Sequence, residues 1–197
     1  MVAGPKVGVL ALQGAFAEHA AVLDALDAHP VEVRRPSDLA GVEGLILPGG
    51  ESTTMSMLLA SSGLHDAVAE RLDSGLPVLG TCAGLILLAT DVLDGRPDQR
   101  TFAVLDVTVC RNGYGRQKDS FETELEVSGI GPGGAAAMFP AVFIRAPRIT
   151  RVGGEVDVLA SVGPDPVLVR RGPILAAAFH PELSRDLRLH HLFLGSI

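Results

Sequence analysis

The sequence predicts an α/β protein: an open, mostly parallel sheet with helices on both faces and antiparallel hairpins appended to it. Two observations carry this. In the first half, apolar runs that read as buried strands alternate with stretches of helical spacing, the pattern of successive strand–helix units. In the second half, strand-like runs follow one another across short turns, and long helices are scarce. A chain of 197 residues fits a single domain, expected here over 1–197, with no internal repeat and no linker long enough to divide it.

The elements follow in order. Residues 7–12 are continuously apolar, as in a parallel strand buried on both faces. Residues 16–26 have helical spacing, with Phe16, Ala20, Leu23 and Leu26 on one side. Val31-Glu32-Val33 is a short strand, and Pro36-Ser37-Asp38 starts a brief helix. A third strand over 44–47 stops at Pro48-Gly49-Gly50; helices are expected over 53–59 and 64–72. The apolar run 76–79 is the next strand, and helical spacing returns over 85–93. Strands are then expected over 104–109, 122–127, 141–144, 156–160, 166–169 and 174–178, with a surface loop at 129–134 and a closing helix over 185–193.

Composition narrows the function. Apolar residues make up 47% and charged residues 20%, an ordinary globular balance. Sixteen basic against 23 acidic residues give a net charge of −7, which argues against a nucleic-acid partner. No apolar run is long enough to span a bilayer, and no basic stretch followed by a long apolar one marks a secretory signal. Cys82 and Cys110 therefore read as reduced thiols of a cytoplasmic protein, Cys110 as a small core hydrophobe.

The chemistry concentrates at Gly80-Thr81-Cys82-Ala83-Gly84, where a strand runs into a helix. This is the layout of a nucleophile elbow, a sharp turn that exposes its central side chain. Glycines flank it because the turn leaves no room for Cβ atoms. A thiol at a helix N-terminus is also favoured as the thiolate. Downstream, Phe179-His180-Pro181-Glu182 follows an apolar run. His180 supplies the base that a cysteine nucleophile needs, and Glu182 the group that orients it, if the chain stays extended and places i and i+2 on one face. Pro181 disfavours helix at His180. Acyl transfer also needs donors for a developing oxyanion: the N–H of Ala83 is one, and Gly50, in the glycine pair at the carboxyl edge of the sheet, supplies the other.

These motifs resemble the class I, or triad, glutamine amidotransferases, whose fold is a flavodoxin-like open sheet. More narrowly, the chain resembles the PdxT/SNO family, the glutaminase subunits of pyridoxal 5'-phosphate synthase. The resemblance rests on Gly8–Gly14, Leu45–Met55 with its Pro-Gly-Gly-Glu-Ser-Thr core, the elbow, Arg111–Gln117, Asp119–Glu122, Val142–Pro147 and Phe179–Leu183. The stretch 111–117 departs slightly, carrying Gly113-Tyr114 where Ser-Phe or Ala-Phe is common. The resemblance implies a Cys82–His180–Glu182 triad that hydrolyses L-glutamine to L-glutamate and ammonia through a glutamyl thioester. It implies that Gly50, Glu51, Ser52, Arg111, Ile144 and Arg145 bind glutamine, and that Gln13 supports the oxyanion hole. Arg111 or Arg145 suits the α-carboxylate of glutamine, and Glu51 its α-ammonium. The implied partner is a PdxS/SNZ-type synthase subunit in a hetero-oligomer, which receives the ammonia and makes pyridoxal 5'-phosphate (vitamin B6) from ribose 5-phosphate and glyceraldehyde 3-phosphate. No cofactor and no metal are called for. The remaining histidines, His19, His29, His65, His190 and His191, read as structural or exposed.

Two other readings attach to the same elbow. One is a glutaminase subunit or cysteine hydrolase of another class I amidotransferase-like system; the other is a non-enzymatic subunit with a relic site. Keeping Cys82, His180 and Glu182 together argues against a cysteine hydrolase that has lost His-x-Glu and against a relic site.

Overall fold

The first half builds β1 (Lys6–Leu10), α1 (Phe16–Ala25), β2 (His29–Val33), a 3₁₀ turn (Pro36–Leu39), β3 (Gly44–Leu47), α2 (Ser52–Ser61), α3 (Leu64–Asp73), β4 (Val78–Thr81) and α4 (Ala83–Leu88). The second half adds β5 (Ala89–Val92), β6 (Leu105–Cys110), β7 (Phe121–Val127), β8 (Ala137–Phe143), β9 (Arg148–Val152), β10 (Asp157–Val162), β11 (Asp165–Arg171), β12 (Ile174–Ala177), a 3₁₀ turn (Pro181–Leu183) and α5 (Arg188–Leu194). This computed structural model describes residues 4–111, 113 and 120–197; of the motif 111–117 it therefore covers Arg111 and Gly113, and the remainder lies outside the described residues.

The main sheet has the order β10-β11-β12-β4-β3-β1-β2. The five strands from β12 to β2 run parallel, and β11 and β10 extend the sheet as an antiparallel meander. The fold is thus α/β, with a mostly parallel sheet. Every residue of β3 and β4 is buried, as continuous apolar runs between two helical layers require. β5, β6 and β9 form a second small sheet, and β7 and β8 a hairpin.

Some elements differ from the sequence reading. The helix expected over 85–93 ends at Leu88, and Ala89–Val92 pairs in parallel with β6 instead. Thr90 donates its hydroxyl to the Leu105 carbonyl at 3.0 Å, and the β-branched Thr90 and Val92 suit a strand better than a helix. β9 escapes a reading from apolar pattern because only Ile149 among its residues is buried. The closing helix starts only at Arg188, whose N–H donates to the Asp186 carboxylate at 3.0 Å, and residues 184–187 lie outside both it and the 3₁₀ turn. Cys110 is half-buried at the end of β6, not a core residue. Among the described residues no helix is long and apolar enough to cross a membrane.

Two contacts set the height of the elbow above the sheet. A Cβ on Gly84 would collide with the carbonyl oxygen of Leu47, the last residue of β3, so α4 lies directly against that strand end. A Cβ on Gly80 would lie 2.8 Å from the carbonyl carbon of Gly84. The Gly84→Ala substitution is accordingly expected to destabilise the fold by about 1–3 kcal/mol or more, since backbone cannot move aside as a flexible side chain can. Gly154→Ala, where nothing lies within 4 Å of the added carbon, should stay within about 0.5 kcal/mol of the parent. Urea denaturation of both variants measures the difference.

Candidate active site

Cys82 stands between β4 and α4 with φ 50° and ψ −101°, a conformation unfavourable for a residue with a side chain. Its N–H is pinned to the Ala177 carbonyl of β12 at 2.9 Å. Strain of this kind persists only where the surroundings over-determine it, and it gathers at functional sites. Among the described residues four non-glycines have positive φ: Asp27, Cys82, Ala103 and Arg145. Two of these, Cys82 and Arg145, line one cavity.

β12 continues through buried Ala178 and Phe179 to His180. Phe179 packs against Phe139 and Phe143 of β8, and the His180 N–H donates to the Val142 carbonyl of the same strand at 2.8 Å. The β7–β8 hairpin is therefore what holds the histidine over the sheet edge. The chain does not stay extended past it: Glu182 belongs to the 3₁₀ turn, and His180 itself remains non-helical ahead of Pro181. The side chains meet all the same. His180 Nδ1 lies 2.7 Å from Glu182 Oε1. An ionised carboxylate only accepts, so Nδ1 carries the hydrogen and Nε2 is left to serve the thiol.

Burial works against a charge on His180, but its hydrogen bonds to Cys82 and Glu182 outweigh that and raise its pKa to about 10. That raised value favours the imidazolium form of the ring at neutral pH. Gly49 shapes the other side. A Cβ there would strike His180 Cε1 and lie 3.4 Å from Cys82 Cβ, so only glycine lets this loop close over the pair.

The cavity in front of Cys82 has a volume of about 460 Å³, within the roughly 300–1,000 Å³ usual for small-molecule sites. Gly50, Glu51, Ser52, Arg111, Ile144 and Arg145, the residues singled out from sequence for glutamine, all line it together with Cys82 and His180. The Ile144 carbonyl lies 4.0 Å from the Cys82 sulfur. Ala83 is the first residue of α4, so its N–H has no acceptor within the helix. Gln13 lies in the loop beyond β1, behind the cavity wall, where its Oε1 accepts from the Glu51 N–H at 2.8 Å; a Cβ on Gly50 would come 2.5 Å from that oxygen.

Glu51 is already engaged. Its carboxylate caps α2 by accepting from the Thr53 and Thr54 N–H groups at 3.1 and 2.7 Å, and it pairs with Arg111 at 2.7 Å. Partial burial pushes its carboxyl pKa up, but the hydrogen bonds from Thr54 and Thr53 prevail and hold it at about 2.

The sequence profile described as the SNO glutamine amidotransferase family matches residues 9–197. The chain belongs to that family. Curated relatives named pyridoxal 5'-phosphate synthase subunit PdxT include one from Frankia casuarinae, 52% identical over 196 residues, covering 100% of this chain and 96% of the relative. Another, from Mycobacteroides abscessus, is 53% identical over 193 residues, covering 98% and 97%. A crystal structure titled glutamine amidotransferase superposes with a TM-score of 0.89 at 49% identity, covering 96% of this chain and 97% of that one. The structure of PurLQS from Thermotoga maritima, at 15% identity and a TM-score of 0.71, shares the fold.

Sequence reasoning gave this SNO-family site no part for two histidines. His19 of α1 and His190 of α5 are both fully buried, and they stand in line behind Glu182. The signal was present in the helical spacing, which puts His19 on the inner side of α1 near Leu23; without the fold, nothing ties that side to Glu182.

The cap of α2 can be tested apart from catalysis. Glu51→Ala should lower stability by about 0.5–2 kcal/mol, the usual cost of losing an N-cap acceptor. The carboxyl has a reference pKa of 4.5 and about 2 in the folded protein. A depressed folded value stabilises above the unfolded pKa, and the benefit fades as pH falls through the window between the two. The gap in urea midpoint between parent and variant should therefore close across that window.

Proposed function

We propose that Cys82, His180 and Glu182 form the triad with which this chain hydrolyses L-glutamine. The observation that carries the reading is the continuous line from the Glu182 carboxylate through His180 to a strained cysteine facing a cavity edged by Arg111, Arg145 and Glu51. The cavity's charges suit a substrate with an α-carboxylate and an α-ammonium.

In this reading the thiolate of Cys82 attacks the δ-carbonyl of glutamine. The N–H groups of Ala83 and Gly50 receive the oxyanion, and Gln13 steadies the loop carrying Gly50 by holding the next N–H, that of Glu51. Imidazolium His180 then gives its Nε2 proton to the departing nitrogen, and ammonia leaves with a glutamyl thioester behind it. Water, deprotonated by His180, hydrolyses the thioester to glutamate and restores the thiolate. The positive Arg111, already paired with Glu51, or Arg145 takes the α-carboxylate; the ammonium lies near Glu51.

Ammonia in neutral water is mostly ammonium, which is no nucleophile. A glutaminase serving a synthesis has to hand NH₃ over directly. The relatives' name, pyridoxal 5'-phosphate synthase subunit, fits this. We therefore assign as receiver a PdxS/SNZ-type synthase subunit, docked in a hetero-oligomer in a reducing cytoplasm that keeps Cys82 a thiol.

Glutamate release from glutamine, measured with the synthase subunit present, tests the assignment. Cys82→Ala should reduce it to background while the urea midpoint stays near the parent's, and pyridoxal 5'-phosphate formation fed by ammonium salt should continue. Substantial glutamate release by that variant sinks the role of Cys82. Glu182→Gln should retain more activity than His180→Ala, because the carboxylate orients the imidazole whereas the imidazole moves the proton.

A further inference from the structure

The Glu182 carboxylate has a second face. Oε1 serves His180, and Oε2 points the other way, into the protein, where its side chain is wholly buried. The His19 ring lies there, with Nε2 3.3 Å from Oε2 and 3.1 Å from the Thr81 hydroxyl oxygen. His19 Nδ1 in turn lies 2.9 Å from His190 Nε2. Among the described residues Oε2 has no hydrogen-bond partner, the 3.3 Å approach of His19 Nε2 being an ion-pair contact, and His190 Nδ1 has none either.

These distances fix the hydrogens. Oε1 accepts from His180, and a buried carboxylate oxygen such as Oε2 needs a donor. His19 Nε2, which it shares with the Thr81 hydroxyl at 3.1 Å, is the nitrogen that lies within reach of Oε2, at 3.3 Å. A neutral His19 then has a bare Nδ1, which must accept from His190 Nε2–H, and the unpartnered His190 Nδ1 carries no hydrogen. The reverse assignment would turn a lone pair of His19 toward the carboxylate and leave a buried N–H on His190 with no acceptor, the rarer kind of orphan. Protonating His19 would add a cation whose Nδ1–H has to face an accepting His190 Nε2, and His190 Nδ1–H would again be stranded. The titratable groups facing His19 are Glu182 from the 3₁₀ turn, His190 from α5 and, beyond Glu182, His180; Thr81 of β4 is neutral. Burial, with His190 and His180 adding to it, holds the His19 pKa well below its ordinary value. Burial likewise lowers that of His190 to about 4.

We propose that His19, held by His190, is a positioning residue for the glutaminase triad: it holds the Glu182 carboxylate turned so that Oε1 meets His180. The two histidines and the triad then make one directional chain of donors, from α5 through α1 to the carboxylate. This rests on the triad reading above.

Two measurements test it, and the first does not involve activity. In ¹⁵N-histidine-labelled parent protein, long-range ¹H–¹⁵N spectra report the tautomer of each ring. His19 and His190 should both carry hydrogen on Nε2 with a bare Nδ1 at neutral pH, and both should remain so down to about pH 6 given the depressed values. An Nδ1–H tautomer for His19, or a doubly protonated His19 in that range, overturns the proposal even if the chain hydrolyses glutamine. The second is kinetic, with the synthase subunit present. His19→Leu should lower kcat for glutamine about 10- to 100-fold, the range for groups that hold a catalytic ligand in place, and leave KM near the parent's. His19→Gln, whose amide nitrogen stands in for Nε2–H, should recover most of kcat. Parental kcat in a folded His19→Leu protein overturns the proposal. So does a His19→Gln variant as poor as His19→Leu with both folded, because a filler role would not depend on the donor. If the parent itself released no glutamate, the triad reading would fall, and the tautomers would still decide whether the histidine chain exists.

Discussion

The site depends on one steric constraint: α4 begins directly against the end of β3, with the α-carbon of Gly84 over the Leu47 carbonyl. That approach fixes the height and tilt of α4, and so the strained turn at Cys82 that precedes it. From Cys82 the chain is tied sideways to β12 through the Ala177 carbonyl. Because β12 pairs with β4 in parallel register, Ala177 opposite Thr81, the strands that lead to Cys82 and to His180 end at the same level. The Cys–His meeting is thus a consequence of sheet register together with one helix–strand contact.

What the sheet edge cannot provide comes from the appended hairpin. A parallel strand leaving its sheet has no neighbour to fix its path. Here β8 supplies one, with Val142 bonding His180 and a cluster of Phe139, Phe143 and Phe179 packing beneath it. The same strand runs on into Ile144 and Arg145, so His180 and part of the cavity wall are set by one piece of chain. The extension of an α/β core into hairpins therefore has a mechanical purpose.

Much of this was legible in the sequence, and the parts that were not share a physical cause. β3 could be read because a strand buried on both faces is continuously apolar, whereas the apolar run 76–79 caught only Val78 and Leu79 of β4, which goes on through Gly80 and Thr81. Gly-x-Cys-x-Gly could be read because its turn tolerates few residues, and the fold class followed from strand–helix alternation. β9 could not be read: its stability lies in pairing with β6, and four of its five residues meet solvent or half-meet it. The end of α4 was misread because Leu85 to Leu88 are apolar all round and give no amphipathic phase to show where the helix stops. Proline before Glu182 indicated a non-helical His180 correctly, but the short 3₁₀ turn that brings the carboxylate round depends on the packing of the 3₁₀ turn against β8 and α1. His19 and His190 lie 171 residues apart, and no local pattern can pair residues at that separation.

The glycines around the site have a consequence for how this protein can vary. Gly14 against the Gly49 carbonyl and Gly84 against the Leu47 carbonyl are main chain touching main chain. Side-chain repacking, which lets a core drift through many apolar combinations at small cost, leaves such contacts unchanged. The aliphatic interior is therefore free to wander over generations while the thiol and the imidazole stay in place. The converse also holds: no compensating substitution elsewhere can make room for a methyl at Gly84, because the obstacle is an atom that every residue type carries. Saturation mutagenesis of the chain would map this division as sharp islands of intolerance at glycines, set in a permissive apolar background, and the islands would trace the backbone scaffold of the site.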